Sequence, residues 1–439
     1  MRSSPSVATA DISVKDPHLP PLHRVGDLIA PKAPHDIASA GLEEGALTDM
    51  AVKLAFTVAR LTTEWVAKKL HFSMPLVQAV LEQVCRDGML EETMQTSAGR
   101  SHYRITQRGR EYGARALEAC GYIGPAPVSM EAYAAMLRWQ FTNTPQVKPE
   151  HVTAALSSLV LSPKAMQLAG LAVSSGRSLF VYGPPGNGKS SLGRQIHAAM
   201  SGDYWIPYTI SVGNSIIRLF DDLCHQRVDV PNERGTIDPR WVRIRRPLVI
   251  VGGELTLDLL DLMYSPTLRY YEAPPHLKAN GGVFLVDDFG RERVSPDQLL
   301  NRFITPMEYQ IDYFTLQTGQ KIQLPLRHVL IIATNLSPEK VTDPAFLRRM
   351  GYRIFLGPPT PEEYTKIFQQ YAQRQGAAVA PEAIDGLLQR YQAQNRELRA
   401  CEPRDLIERA RDICRFHGRP FELTPKVLDL AWTGYFGNQ

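Results

Sequence analysis

Gly183-Pro184-Pro185-Gly186-Asn187-Gly188-Lys189-Ser190 fits the pattern G-x-x-x-x-G-K-[ST]. The glycines let the backbone curl until its N–H groups face an anion, over the positive end of the helix that follows. In such a loop the Lys189 ammonium faces the β- and γ-phosphates of a nucleotide, and the Ser190 hydroxyl holds Mg²⁺. Gly183 through Ser191 are therefore the candidate nucleotide-binding residues, with ATP and Mg²⁺ as the expected ligands. The chemistry requires a strand before the loop and a helix after it. Ser178-Leu179-Phe180-Val181-Tyr182 is a short apolar run suited to a buried strand, and Leu192, Ile196 and Met200 recur at helical spacing.

A second cluster of reactive groups closes the run Gly282-Val283-Phe284-Leu285-Val286-Asp287-Asp288. Four apolar residues ending in two carboxylates describe a buried strand that delivers acids to the end of a parallel sheet, where ligands bind. Asp287 is placed to hold Mg²⁺ through its water shell, and Asp288 to polarise an attacking water. Val329-Leu330-Ile331-Ile332-Ala333-Thr334-Asn335 is another buried strand, ending in an amide. Asp343 to Met350 reads as a helix ending in Arg348 and Arg349, before the strand Tyr352-Arg353-Ile354-Phe355. Glu402-Pro403-Arg404 opens a helix in an all-helical C-terminal region.

A chain of 439 residues has length for several domains, and its net charge of +4 is too small to argue by itself for nucleic acid or membrane. No apolar run reaches the length of a membrane span, and the N-terminus lacks the apolar core of a signal peptide. The five cysteines include no C-x-x-C pair. Cys224-His225 and Cys414/His417 lack the second half of a zinc site, so ordinary thiols in a reducing, cytoplasmic compartment are expected.

Residues 1–40 carry scattered prolines without a periodic apolar face, which predicts a disordered tail. Residues 41–124 read as three helices, Leu47 to Leu61, Thr63 to Leu70 and Met74 to Asp87, followed by a hairpin through Gly99 and a closing helix from Arg108 to Cys120. This pattern resembles a winged-helix domain. Ten basic residues between Gly41 and Gly124 stand against ten acidic ones, and the third helix begins with Pro75, Leu76, Val77, Gln78 and Ala79. A duplex reader needs phosphate-neutralising charge and base-reading side chains there. DNA binding is therefore disfavoured, and the Leu76/Val77 face is expected to dock a protein. Residues 125–143 read as a stiff linker and connecting helix, 144–358 as a nucleotide-binding core, and 359–439 as a four-helix lid.

From about Thr144 to Gly437 the order of these parts resembles the AAA+ ATPases. The resemblance implies an α/β fold: a P-loop parallel sheet flanked by helices, with the N-terminal winged helix and the C-terminal four-helix lid around it. It implies ATP hydrolysis within a homo-oligomeric, hexameric ring acting on a protein client. It also implies roles for single residues. Asn335 helps place the hydrolytic water. Arg349, with Arg348 as the alternative, reaches the neighbouring subunit's site, and Arg404 contacts the γ-phosphate. The family usually has Glu where this chain has Asp288, one methylene shorter, so the water would be reached with a small backbone shift. Ala279-Asn280-Gly281-Gly282 is similar to the lead-in of MoxR-type chaperones and enhancer-binding activators, which implies a loop inserted in the second helix over Gly252 to Gly282. A hairpin through Gln317-Thr318-Gly319-Gln320 is expected just before the Val329 strand, both insertions facing a central pore. A DNA-binding regulator or loader and a nucleotide-gated scaffold of low turnover are the alternatives.

Overall fold

The computed structural model describes residues 16–95, 101–230, 235–341 and 344–437. At its centre is a five-stranded parallel sheet built from β1 (Leu179–Tyr182), β2 (Leu248–Val251), β3 (Val283–Phe289), β4 (Val329–Thr334) and β5 (Tyr352–Phe355), in spatial order β2-β3-β4-β1-β5. The runs Leu179–Val181, Val283–Val286 and Val329–Ala333 are apolar because both faces are covered there, whereas the edge strand β5 carries the exposed Arg353. Leu179, Val181, Val283, Leu285, Ile331 and Ala333 face the helices Pro149–Leu156, Pro163–Ser175 and Lys189–Ala198. The alternate residues Phe180, Phe284, Val286, Leu330 and Ile332 pack on the other side against Leu299, Leu300 and Phe303 of helix Pro296–Tyr309, and against Phe346. The period of two along each strand thus divides one apolar run between two cores.

The C-terminal region is a separate bundle of four helices, Pro361–Arg374, Pro381–Ala393, Glu402–Phe416 and Pro425–Phe436, with its own core around Tyr364, Phe368, Leu406 and Trp432. Thr360 opens the first of them with a reciprocal capping box to Glu363, fixing where the chain turns from β5 into the bundle.

At the N-terminal side, helices Glu44–Thr57, Thr63–Leu70 and Met74–Arg86 pack with an antiparallel sheet of Leu61–Thr62, Ser101–Ile105 and Leu90–Gln95, and helix Gln107–Ala119 closes the unit. Here one expectation fails. Leu76 and Val77 are each only 1 % exposed and belong to this unit's core, so they form no docking face. The exposed residues of the third helix are Met74, Pro75, Ala79, Glu82 and Arg86. Nor does the stretch from Gly124 to Pro127 hang free. The Ala126 amide donates to the Leu70 carbonyl, and the buried Arg240 guanidinium reaches the carbonyls of both Ala40 and Pro127.

Two further expectations are corrected. Residues 1–15 lie outside the described residues, but 16–40 do not form a disordered tail. Leu22–Val25 and Leu28–Pro31 pair as a hairpin through Gly26-Asp27, with Gly26 at φ +61°, and bury Leu22 and Ala30 in a β-rich core. A glycine-aspartate pair between two apolar runs is a hairpin signal; the surrounding prolines obscured it. That core is formed mostly by strands between the loop helix and β2, and by a five-stranded sheet of Val128–Ser129, Thr209–Val212, Ser215–Arg218, Tyr270–Glu272 and Met263–Ser265. The segment Gly252–Gly282, expected as a loop inserted in a helix, supplies two of those strands. Tyr270–Glu272 pairs parallel with Ser215–Arg218 instead of projecting. The Ile311–Thr315/Lys321–Pro325 hairpin forms as expected, yet buries Phe314, Ile322 and Leu324 in the same core. Asp312 fixes it there, accepting from His276 at 2.8 Å and from both terminal nitrogens of Arg302 at 2.5 and 2.7 Å.

Candidate functional site

The glycine-rich loop leaves β1 at Tyr182 and enters helix Lys189–Ala198 at Gly188. Its shape depends on two glycines above all. Gly183 sits at φ +141°, and a Cβ there would lie 2.2 Å from the Leu356 carbonyl oxygen; at Gly186, φ +83°, a Cβ would lie 2.7 Å from the Cys401 sulfur. No side chain caps the start of the helix, so its first N–H groups remain for an anion. Lys189 is only 6 % exposed. Its Nζ folds back to donate to the carbonyls of Gly183 at 2.9 Å and Pro184 at 2.8 Å. Burial holds the Lys189 pKa below the ordinary lysine range, while Asp288 and Asp287 oppose the shift.

Helix Lys189–Ala198 crosses the sheet from β1 over β4 towards β3, seated by Leu192 and Ile196. That crossing brings Ser190 to the acidic end of β3, where its Oγ donates to Asp287 Oδ1 at 2.7 Å. Asp287 Oδ1 also accepts from the Asp288 amide at 3.1 Å. Asp288 adopts φ +53°, and the pairing of β3 with β4 shifts register between Val286 and Phe289. Aspartate visits this left-handed region more readily than longer side chains do, which gives a local reason for Asp over Glu at this position. The kink turns the carboxylate outward. Asn335 Nδ2, from the end of β4, donates to Asp288 Oδ1 at 3.3 Å, and an Arg291 guanidinium nitrogen lies 3.8 Å from Oδ2.

The C-terminal bundle completes the enclosure. The Cys401 amide donates to the Gly186 carbonyl at 2.8 Å, and the Ala400 amide to Asn187 Oδ1 at 3.2 Å. Between loop and bundle lies a cavity of about 660 Å³ whose walls include Lys189, Ser190, Ser191, Asp288, Asn335 and Arg404, within the size range of small-molecule sites. Arg404 is exposed there, and its guanidinium donates to Asp405 Oδ1 at 2.9 and 3.0 Å. Arg194, Arg291 and Cys401 also line the cavity and were not singled out from the sequence. Isolated arginines and a lone cysteine carry no spacing signal that separates them from surface residues.

Arg348 and Arg349 are not brought to this cavity. They precede β5, which runs parallel to β1 with Tyr352 opposite Leu179, so they lie at the opposite end of the sheet from the loop. Four strand residues at ~3.3 Å each separate the two ends. Arg349 Nε donates to Glu308 at 2.6 Å there. Among the described residues no group of three or more His, Cys, Asp or Glu side chains is placed to hold a metal. Both His225 ring nitrogens are engaged, one by the Asp221 amide and the other by the Lys278 carbonyl. No helix among the described residues is long and apolar enough to cross a membrane.

Residues 360–434, the helical bundle, match a family described as a domain of unknown function, DUF8689. No curated protein matches the chain. Among solved structures, the RuvB Holliday junction branch migration motor of Thermotoga maritima is similar at 13% identity, over 66% of this chain and 70% of that one, with a TM-score of 0.34. NtrX from Brucella abortus, in complex with ATP, is similar at 15% identity over 73% of this chain and 62% of that one, with a TM-score of 0.37.

Proposed function

We propose that this protein is an Mg²⁺-dependent ATPase of the AAA+ type that works as a homo-oligomeric ring on a protein client. The observation that carries the reading is the 2.7 Å bond from Ser190 Oγ to Asp287 Oδ1, which joins the glycine-rich loop to the acidic strand beside an open cavity. The pair is a hard-oxygen donor set of the kind that suits Mg²⁺. Bound there, the ion would neutralise charge on the β- and γ-phosphates. The loop amides and the uncapped helix N-terminus would hold the phosphates, and Lys189 would exchange its two carbonyl partners for phosphate oxygens. Asp288, turned outward and met by Asn335, would orient water. Arg404 would reach the γ-phosphate from the bundle, which already contacts the loop through Cys401 and Gly186.

Arg349, or Arg348 beside it, would serve the site of a neighbouring subunit. The reading is supported by their position at the far end of the sheet, which leaves their own chain's cavity without them. The helix-insert branch is not part of this proposal, because Gly252–Gly282 is woven into a sheet. For the N-terminal unit we propose a winged helix that contacts protein. The exposed face of its third helix offers Met74, Pro75, Ala79 and Glu82 before the single cation Arg86, poor equipment for neutralising phosphates.

Calorimetric titration of ATP with Mg²⁺ tests the main reading. The parent protein should bind, and Lys189→Ala should not, with an unchanged circular dichroism spectrum. Equal binding by both proteins refutes the loop assignment. A DNA-loading role would appear instead as salt-sensitive binding of random duplex by the full chain, tighter than the ~10⁻⁴ M weak limit of non-specific binding.

A further inference from the structure

At the N-terminal ends of β3 and β4, the opposite end of the sheet from the glycine-rich loop, lies a second cavity of about 250 Å³. Arg246, Arg327, His328, Tyr204, Gln310 and Phe141 are among its lining residues, and among the described residues no aspartate or glutamate lines it. Two partly buried arginines lining one small space without a carboxylate leave their charge uncompensated, and charges withdrawn from water are ordinarily paired.

Among the described residues neither arginine is paired with an acid elsewhere. Arg246 donates to the carbonyls of Ser201 at 2.8 Å and Gly281 at 2.7 Å, and stacks on the Tyr204 ring 4.8 Å from its centroid. These contacts fix the group and leave further N–H donors unspent. Arg327 lies over the Phe141 ring at 5.1 Å, and its buried Nε has no hydrogen-bond partner. His328 Nδ1 is likewise buried without a partner. Rings thus position both cations while their hydrogen-bonding capacity stays open. Glu308, in the adjoining cleft, is already bonded to Arg349.

We propose that this cavity is a binding site for a phosphate group, either free orthophosphate or a small phosphate monoester. A dianion of that size matches two uncompensated guanidinium groups in charge, whereas a single carboxylate or chloride would leave one cation unpaired. Guanidinium forks suit phosphate oxygens bidentately. Burial holds the pKa of both arginines below the ordinary range, and Arg138 adds repulsion at Arg327; a bound dianion relieves both effects. The site lies outside the nucleotide cavity and does not depend on that cavity being functional.

The test is calorimetry and thermal unfolding of Lys189→Ala protein, whose glycine-rich loop is disabled, with orthophosphate and separately with ribose 5-phosphate. Binding of at least one ligand, with a raised unfolding temperature, is expected. Arg327→Gln should weaken it by about ten- to hundredfold, the worth of charge-assisted hydrogen bonds, and Arg327→Lys should recover part of the loss. Arg327→Gln alone should leave ATP binding intact, which separates this site from the loop. A preference for the monoester identifies a metabolite site, and equal or better binding of orthophosphate identifies an inorganic-phosphate site. Absence of binding in Lys189→Ala, or binding that Arg327→Gln leaves unchanged, overturns the proposal. Arg246→Gln is the second variant should Arg327→Gln unfold, with the same expected loss.

Discussion

The Cys401 amide donates to the Gly186 carbonyl at 2.8 Å, and the Cys401 sulfur fills the space that a Cβ on Gly186 would need. The glycine-rich loop and the C-terminal bundle are therefore in direct backbone contact. A loop held only by its own strand and helix would be free to change shape; this one is also braced by the bundle.

Gly186→Ala should cost stability through two separable effects, the left-handed backbone and the contact with sulfur. We expect about 1–3 kcal/mol in total from urea unfolding. Adding Cys401→Ala should return the steric part and leave the backbone part. If the double variant is no more stable than Gly186→Ala, the bundle does not seat on the loop as described.

Asp288→Asn should keep ATP bound while phosphate release slows by about 10²- to 10⁴-fold, the usual worth of a positioned acid–base group. Asn335→Ala should lower the rate by less, since on the proposed reading it would act on water through Asp288, to which it donates at 3.3 Å. Steady-state phosphate release and equilibrium ATP titration of the same samples separate chemistry from binding. Loss of ATP affinity in Asp288→Asn would mean that this carboxylate holds the metal or the loop.

Arg349→Ala should bind ATP and lose about 10³- to 10⁵-fold in turnover, as for an arginine finger. Mixing it with Lys189→Ala should restore part of the activity, because mixed contacts pair an intact loop with an intact arginine. Activity that never recovers, in a protein that stays monomeric with ATP by light scattering, would refute catalysis between subunits.

His328 titrates far from its ordinary range, its pKa pushed down to about 3 by burial. In the unfolded chain it would take up a proton near pH 6.5. Between those values the unfolded state binds the extra proton, so stability falls as pH drops, by up to about 1.4 kcal/mol per pH unit for this one group. His276, its pKa also lowered by burial although Asp312 opposes the shift, adds in the same direction. Urea midpoints at pH 7 and pH 5 in phosphate-free buffer should show the loss, and His328→Phe should reduce it. An unchanged pH slope in His328→Phe would place the acid sensitivity in other groups.

The central sheet and the helical bundle were legible because their signals are local. A loop that must place N–H groups around an anion needs glycine, lysine and a hydroxyl at fixed spacing. A strand covered on both faces must be apolar from end to end, as Val283 to Val286 and Val329 to Ala333 are. N-terminal prolines marked three of the four C-terminal helices in the same local way. Strand order is another matter. Ser190 and Asp287 are 97 positions apart, and only the seating of the loop helix across β4 brings their oxygens to 2.7 Å. Tertiary packing likewise turned Leu76 and Val77 inward and wove Tyr270–Glu272 into a sheet with Ser215–Arg218. It gathered Arg246 and Arg327 around one small space. An apolar or cationic residue has the same appearance in sequence whether it faces a core, a partner or a cavity. The distinction depends on what the rest of the chain puts opposite it, and only folding decides that.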